Sequence, residues 1–209
     1  MLNKRFMAAA VLTVAVFAAA PASAGLIPFE FAGVIDTVSD PDNALDGAVQ
    51  VGDPFSGSYT FDSDTPDSYP GDPGFGQYQS HSFAINIAGG GLAVDAGPDD
   101  SQILVSNETY GDQYSSGAFG FESSGVGVNE LEIRLADNTA TAFDSDALPV
   151  TPPELSAFSW RTMFFNGVVL ASDLEFNLYG TVTSLVPEPT VLLLLVAGMP
   201  FIPRRAQRR

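Results

Sequence analysis

The stretch FSWRTMFFNGVVLASDLEFNLYGTV, residues 158–182, decides the fold class. Its second half places Leu174, Phe176, Leu178, Gly180 and Val182 at every other position, with Glu175, Asn177, Tyr179 and Thr181 between them. Side chains two apart on an extended chain share a face, so this pattern predicts a strand with one buried side. The first half reads as two shorter strands, 158–165 and 168–170, joined by Asn166-Gly167. Asn-Gly between apolar runs is the signature of a type I′ hairpin, whose two central residues need positive φ.

The same period of two recurs outward from there. Ile27, Phe29, Phe31 and Gly33 to Ile35 form one set; Phe55, Gly57, Tyr59 and Phe61 a second; Phe83, Ile85 and Ile87 a third; Leu131, Ile133 and Leu135 a fourth. Shorter candidate strands lie at 48–51, 91–94, 103–105 and 119–121. Turn chemistry separates them at Asp40-Pro41-Asp42-Asn43, 69–74, 88–91 and 97–100, all rich in Gly, Pro or Asp. No segment between 25 and 186 keeps a 3.6-residue apolar period for three turns. The expectation is an all-β domain, an antiparallel β-sandwich or jelly roll.

Residues 25–186 hold 24 of the 25 acidic residues but only Arg134 and Arg161 among the bases, a balance of −22. Such a surface repels phosphates and argues against a nucleic-acid partner. Abundant aromatic and β-branched residues argue equally for a packed core. The chain has no cysteine, which removes disulfides, thiol nucleophiles and thiolate metal sites from consideration.

The ends read differently from the body. Residues 1–24 show a basic start at Lys4 and Arg5, an apolar run from Phe6 to Ala20, and Ala22-Ser23-Ala24 ahead of Gly25. That order is a secretory signal cleaved after Ala24, since the run of about 15 residues is shorter than the roughly 20 that span a bilayer. At the other end, Pro187-Glu188-Pro189 precedes an apolar stretch, 190–203, and then Arg204, Arg205, Arg208 and Arg209. As a helix, fourteen residues reach about 21 Å against a hydrocarbon core of roughly 30 Å, a marginal transmembrane span whose arginines would stay in the cytoplasm.

This tail resembles the PEP-CTERM sorting signal of bacterial envelope and secreted proteins. The resemblance covers residues 187–209, together with the signal peptide that such proteins also carry. It implies a short hydrophobic sorting helix, transient membrane anchoring, and an exosortase-like enzyme that removes the tail near Pro187, Glu188 and Pro189. It further implies an exported body in the envelope or extracellular matrix, in a setting of exopolysaccharide or biofilm. Pro200 and Pro203 depart from an uninterrupted apolar helix, because proline ends or kinks one. The stretch VGDPFSGSYTFDSDTPDSYP, residues 51–70, resembles a body type that recurs among the same proteins and carries no assigned activity. The organisation expected is therefore a signal peptide at 1–24, an acidic β domain at 25–186 and a sorting tail at 187–209, with signal peptidase, the secretion machinery and an exosortase as partners.

Within the body, Asp62, Asp64, Asp67 and Asp72 surround Pro66 after a strand, and alternate carboxylates in a bent loop offer the hard oxygens that Ca²⁺ takes. The spacing is not that of an EF-hand, and Asp-rich turns are ordinary solvated structure, so calcium is the single cofactor the sequence raises and none is required. A second Asp-Ser-Asp pattern occurs at 144–146. His81, the one histidine, lacks a nucleophile elbow nearby and reads as a surface or edge-strand residue. Glu130, Glu132 and Arg134 alternate with Leu131, Ile133 and Leu135 and read as the solvent face of a strand, although two carboxyls on one face also suit glycoside hydrolysis. Trp160 and the six tyrosines are core material or a sugar-stacking platform. Asn107-Glu108-Thr109 matches a glycosylation sequon. The reading is a non-enzymatic structural or adhesive protein, with a secreted carbohydrate-binding module, calcium-dependent or not, as the alternative and a polysaccharide hydrolase behind it.

Overall fold

The computed structural model describes residues 25–188, apart from residues 90 and 109. Ten strands follow one another: β1 (Leu26–Ser39), β2 (Pro54–Asp62), β3 (Phe75–Gln79), β4 (Ser82–Ile87), β5 (Leu92–Ala96), β6 (Ser101–Glu108), β7 (Gly111–Ser123), β8 (Val126–Asp137), β9 (Trp160–Val169) and β10 (Leu174–Pro187). The described residues contain no α-helix, only a single 3-10 turn at Leu155–Ala157. All ten strands join one antiparallel sheet in the order β3-β6-β7-β8-β9-β10-β1-β2-β4-β5. The protein is all-β, as the period of two predicts.

The sheet curls over its own inner face. Tyr59 on β2 and Tyr114 on β7 stand five strand positions apart, about 24 Å on a flat sheet at roughly 4.8 Å per strand. Their hydroxyls nevertheless meet at 2.7 Å, fully buried. A second link lies at the bend between β3 and β4. The Ser80 N–H donates to Ser101 O beside β3, while the next N–H, of His81, donates to Thr60 O on β2, near the other end of the strand order. Two consecutive residues thus tie the two ends of the sheet together.

The enclosed face is lined with aromatic rings. Phe29 and Phe61 meet edge to face at 5.3 Å, Phe31 and Phe83 lie tilted at 5.3 Å, and Tyr59 stacks on Phe83 at 6.2 Å. Leu131, Ile133 and Leu135 are fully buried on the same side, as expected from their alternation. In β8 the register against β9 shifts between Val128 and Glu130, so the buried positions change from even numbers, Val126 and Val128, to odd ones. One extra residue, Asn129, makes that change of face.

Several local expectations are corrected. Asn166-Gly167 is not a turn: both residues lie inside β9, paired to β8 and to β10. Gly167 is there for space, because a Cβ would stand 2.8 Å from Phe176 Cζ. The Asn166 amide donates to Asn177 Oδ1 at 2.7 Å and accepts from Asn129 Nδ2 at 2.7 Å, an amide ladder across three strands. The two-residue turn with positive φ is Ser124-Gly125, between β7 and β8, with φ of 54° and 82°. Residues 48–51 form turns rather than a strand, and they are anchored by Val49 in the core. β3 and the first half of β7 carried no apolar alternation and were not expected; β7 begins Gly-Asp-Gln-Tyr-Ser-Ser, where small and polar residues fill inward positions.

Because the Tyr59 and Tyr114 hydroxyls satisfy each other in the core, removing one strands the other. Tyr59→Phe is expected to lower the free energy of unfolding by about 1–3 kcal/mol, with the Tyr59→Phe/Tyr114→Phe pair costing less than the two singles combined. Urea titrations of the four proteins measure this; strict additivity would show that the hydroxyls do not act as a pair.

Candidate functional site

The outward face of β8, β9 and β10 gathers the most chemically varied side chains of the body. Glu132, Phe164 and Tyr179 stand abreast on the three strands, as do Arg134, Thr162 and Thr181 one step along. Glu130, Glu132, Arg134, Thr162, Phe164 and Tyr179 line a cleft of about 390 Å³. The Phe164 and Tyr179 rings lie 5.0 Å apart with a 42° tilt.

Glu132 departs from the solvent-face expectation. It points outward but is only 2% exposed. The cause is its neighbour on β7: Gly117 pairs with Glu132, and a Cβ on Gly117 would stand 2.6 Å from Glu132 Cβ, so the carboxylate arm lies where a side chain would otherwise be. Arg134 pairs with the Glu132 carboxylate and reaches Glu130 Oε1 at 3.7 Å. The Arg134 guanidinium sits directly on the buried Glu132 Oε1, and hydrogen bonds from Arg134 and Ser115 help to hold the carboxylate charged. Burial pushes the Glu132 carboxyl above the ordinary glutamate range; Arg134 pulls it down and Glu130 pushes it up.

Two further carboxylates organise the long excursion between β8 and β9. Asp112 and Asp137 pair directly across β7 and β8. Asp112 Oδ2 accepts from the N–H groups of Ala142 and Phe143 at 2.7 and 2.8 Å, and Asp137 accepts from Thr139 and Thr141 through both backbone and hydroxyl. The Thr139 hydroxyl leads the contacts that hold Asp137 below the ordinary aspartate range. These bonds seat Phe143 against Tyr114 and Phe158.

The structure does not bring the loop aspartates together. Asp62 accepts from the Asp64 N–H, Asp67 from those of Tyr69 and Gln77, and Asp72 from that of Gly74, so three of the four cap turns of their own loop. Among the described residues no three His, Asp or Glu side chains are placed to hold a metal ion. His81 is exposed at the bend after β3, beside a cleft of about 430 Å³ that Asp62, Asp64 and Asp99 also line. Asp146, in the second Asp-Ser-Asp pattern, contributes its backbone carbonyl to the Tyr78 hydroxyl rather than its carboxylate to a site.

The aromatics divide. Tyr59, Tyr78 and Tyr114 belong to the core, whereas Trp160 and Tyr179 face outward at 62% and 42% exposure. Sequence reasoning missed Phe164 and Gly117. Phe164-Phe165 held the signal for the first, because consecutive aromatics in a strand must point to opposite faces. Of the sorting residues, Pro187 pairs with Phe29, and the Glu188 N–H donates to Pro28 O at 3.1 Å. Gly25 is exposed at the start of the described chain. Ala22, Ala24, Thr109, Pro189 and the arginines at 204, 205, 208 and 209 lie outside the described residues. Among the described residues no helix is long and apolar enough to cross a membrane. No family model, curated protein or solved structure matches the chain.

The two shifted carboxyls oppose each other in pH dependence. Glu132, raised, contributes stability that is fully present below its ordinary value and is lost as pH rises through its folded one; Asp137, lowered, contributes stability present above its ordinary value and lost as pH falls through its folded one. Relative to the unmodified protein, Glu132→Gln should therefore gain in melting temperature as pH rises above the ordinary glutamate value, and the deficit of Asp137→Asn should shrink as pH falls below the ordinary aspartate value. Differences that do not change with pH would contradict both assignments.

Proposed function

We propose that this chain is an exported envelope or extracellular-matrix protein with a structural or adhesive role, held at the membrane by its C-terminal segment until an exosortase-like enzyme acts near Pro187-Glu188-Pro189. The observation that carries the reading is the junction between body and tail. β10 is a central strand of the sheet that runs to Pro187, and the Glu188 N–H still bonds to Pro28. The folded sheet thus runs into the motif, with Pro187 in its last strand and Glu188 bonded to β1. The secretory signal at 1–24 and the arginine cluster that ends the chain supply the two addresses.

In the same reading the curled sheet works as a β-sandwich, with the β6-to-β9 side packed over the β1, β2, β4 and β5 side and the Tyr59–Tyr114 pair between them. The exposed aromatics of the β8–β10 face favour the adhesive form of the role and an exopolysaccharide partner. In a calcium-dependent form Asp62, Asp67 and Asp72, which cap backbone amides through Oδ1, would have to converge on one cation through Oδ2.

Intact-mass measurement of the protein from its native host tests the sorting step. The expected product begins at Gly25 and ends between 186 and 189, and replacement of Pro187-Glu188-Pro189 by alanines is expected to leave an unprocessed, membrane-held chain. Unchanged release of the body from the alanine variant would remove the motif from the account.

A further inference from the structure

We infer that the outward face of β8, β9 and β10 is a binding platform for a neutral pyranose glycan, which stacks on Tyr179, Phe164 and Trp160 and hydrogen-bonds to Glu130 and Arg134. The inference gives the adhesive role its ligand and rests on that reading.

Three independent features converge on the face. The first is exposed aromatic surface. Trp160 and Phe164 occupy outward positions four residues apart on β9, about 13 Å at roughly 3.3 Å per residue, and Tyr179 stands beside Phe164 on β10. Rings left in water beside a cleft of about 390 Å³ offer a stacking surface longer than a single sugar ring.

The second is the polar edge of the cleft. Glu130 and Arg134 line it with side chains that remain partly exposed, and the Glu130 carboxylate can accept from a sugar hydroxyl. The Arg134 guanidinium, half exposed, has donors left for a ring oxygen or a second hydroxyl.

The third is local charge. Of the two bases of the body, Arg134 lies on this face, in a domain that otherwise carries carboxylates, while Arg161 pairs with Leu135 at a position of the other face. Arg134 already neutralises Glu132 and approaches Glu130, so a cationic ligand meets the guanidinium and an anionic one meets Glu130 and the field of the whole body. A neutral polyhydroxylated ring satisfies both signs of charge without adding one. An apolar face and paired donors and acceptors on adjacent hydroxyls complete the match.

The test uses the purified full-length chain in detergent, with a chelator present, on a printed array of neutral hexose oligosaccharides and of uronic and sialylated glycans. Isothermal titration then follows with the neutral oligosaccharide that the array retains best. Neutral glycans are expected to bind; Tyr179→Ala and Trp160→Ala are each expected to weaken binding about tenfold, with melting temperature unchanged and Tyr179→Phe retaining affinity. Glu130→Gln, which keeps the shape of a partly exposed side chain, supplies a second variant should an aromatic replacement disturb the fold, and it too is expected to weaken binding. Absence of binding to every neutral glycan, affinity untouched by the aromatic variants, retention of anionic glycans only, or a self-association lost in Tyr179→Ala would each overturn the proposal. The assay does not depend on export, so a failed sorting experiment leaves its result standing; a silent array with sorting intact removes the ligand alone.

Discussion

A sheet of ten strands with no helix among the described residues to cover it can hide an apolar face by folding that face against itself. The close approach of Tyr59 to Tyr114 is the point where the condition is met, because it joins strands that a flat sheet would hold far apart. Other features follow from it. The inner positions carry large rings that fill the space between the halves, and residues such as Gly33, Gly57 and Gly180 stand where a Cβ would collide with Phe55 or Phe31. The bend at Ser80 and His81 closes the seam, with consecutive amides bonded toward opposite ends of the strand order.

Curling also determines what the outer face can be. With the inner side full, anything aromatic left outside is exposed by position, and Trp160 and Tyr179 are. The same face contains a group that packing would normally exclude: the Glu132 carboxylate, buried because β7 presents a glycine opposite it and Arg134 stands beside it. Loss of hydration raises its proton affinity, and the guanidinium opposes that effect. A carboxylate, a guanidinium and a ring thus come together on neighbouring strands. Asp112 and Asp137 do different work. They accept amides and hydroxyls from the segment after β8 and hold it over the end of the core, which is why their buried charge is structural.

Much of this was legible in the chain. The alternation of Leu131, Ile133 and Leu135 predicted which side of β8 is buried, and Glu130, Glu132 and Arg134 were placed on one face by the same count. Where the reading failed, the missing information lay in another strand. Asn166-Gly167 has the composition of a hairpin, but the lack of a Cβ serves the Phe176 ring of β10 and the Asn amide serves Asn129 and Asn177. The first half of β7 has no apolar period because its inward positions hold Asp112, Tyr114, Ser116 and Ala118, a mixture of polar, aromatic and small side chains.

The sequence by itself determined the all-β class, the acidity of the body, the absence of cysteine chemistry and the residues that make each end resemble a sorting signal. These are properties of composition and of neighbours along the chain, where a period of two or a run of apolar residues is visible directly. Only the tertiary structure decided that the strands form one curled sheet, that Glu132 is buried although it points outward, and that Phe164 and Tyr179 stand beside it. Strand order and register are set by pairing between residues far apart in sequence, and period-two alternation is the same for any partner.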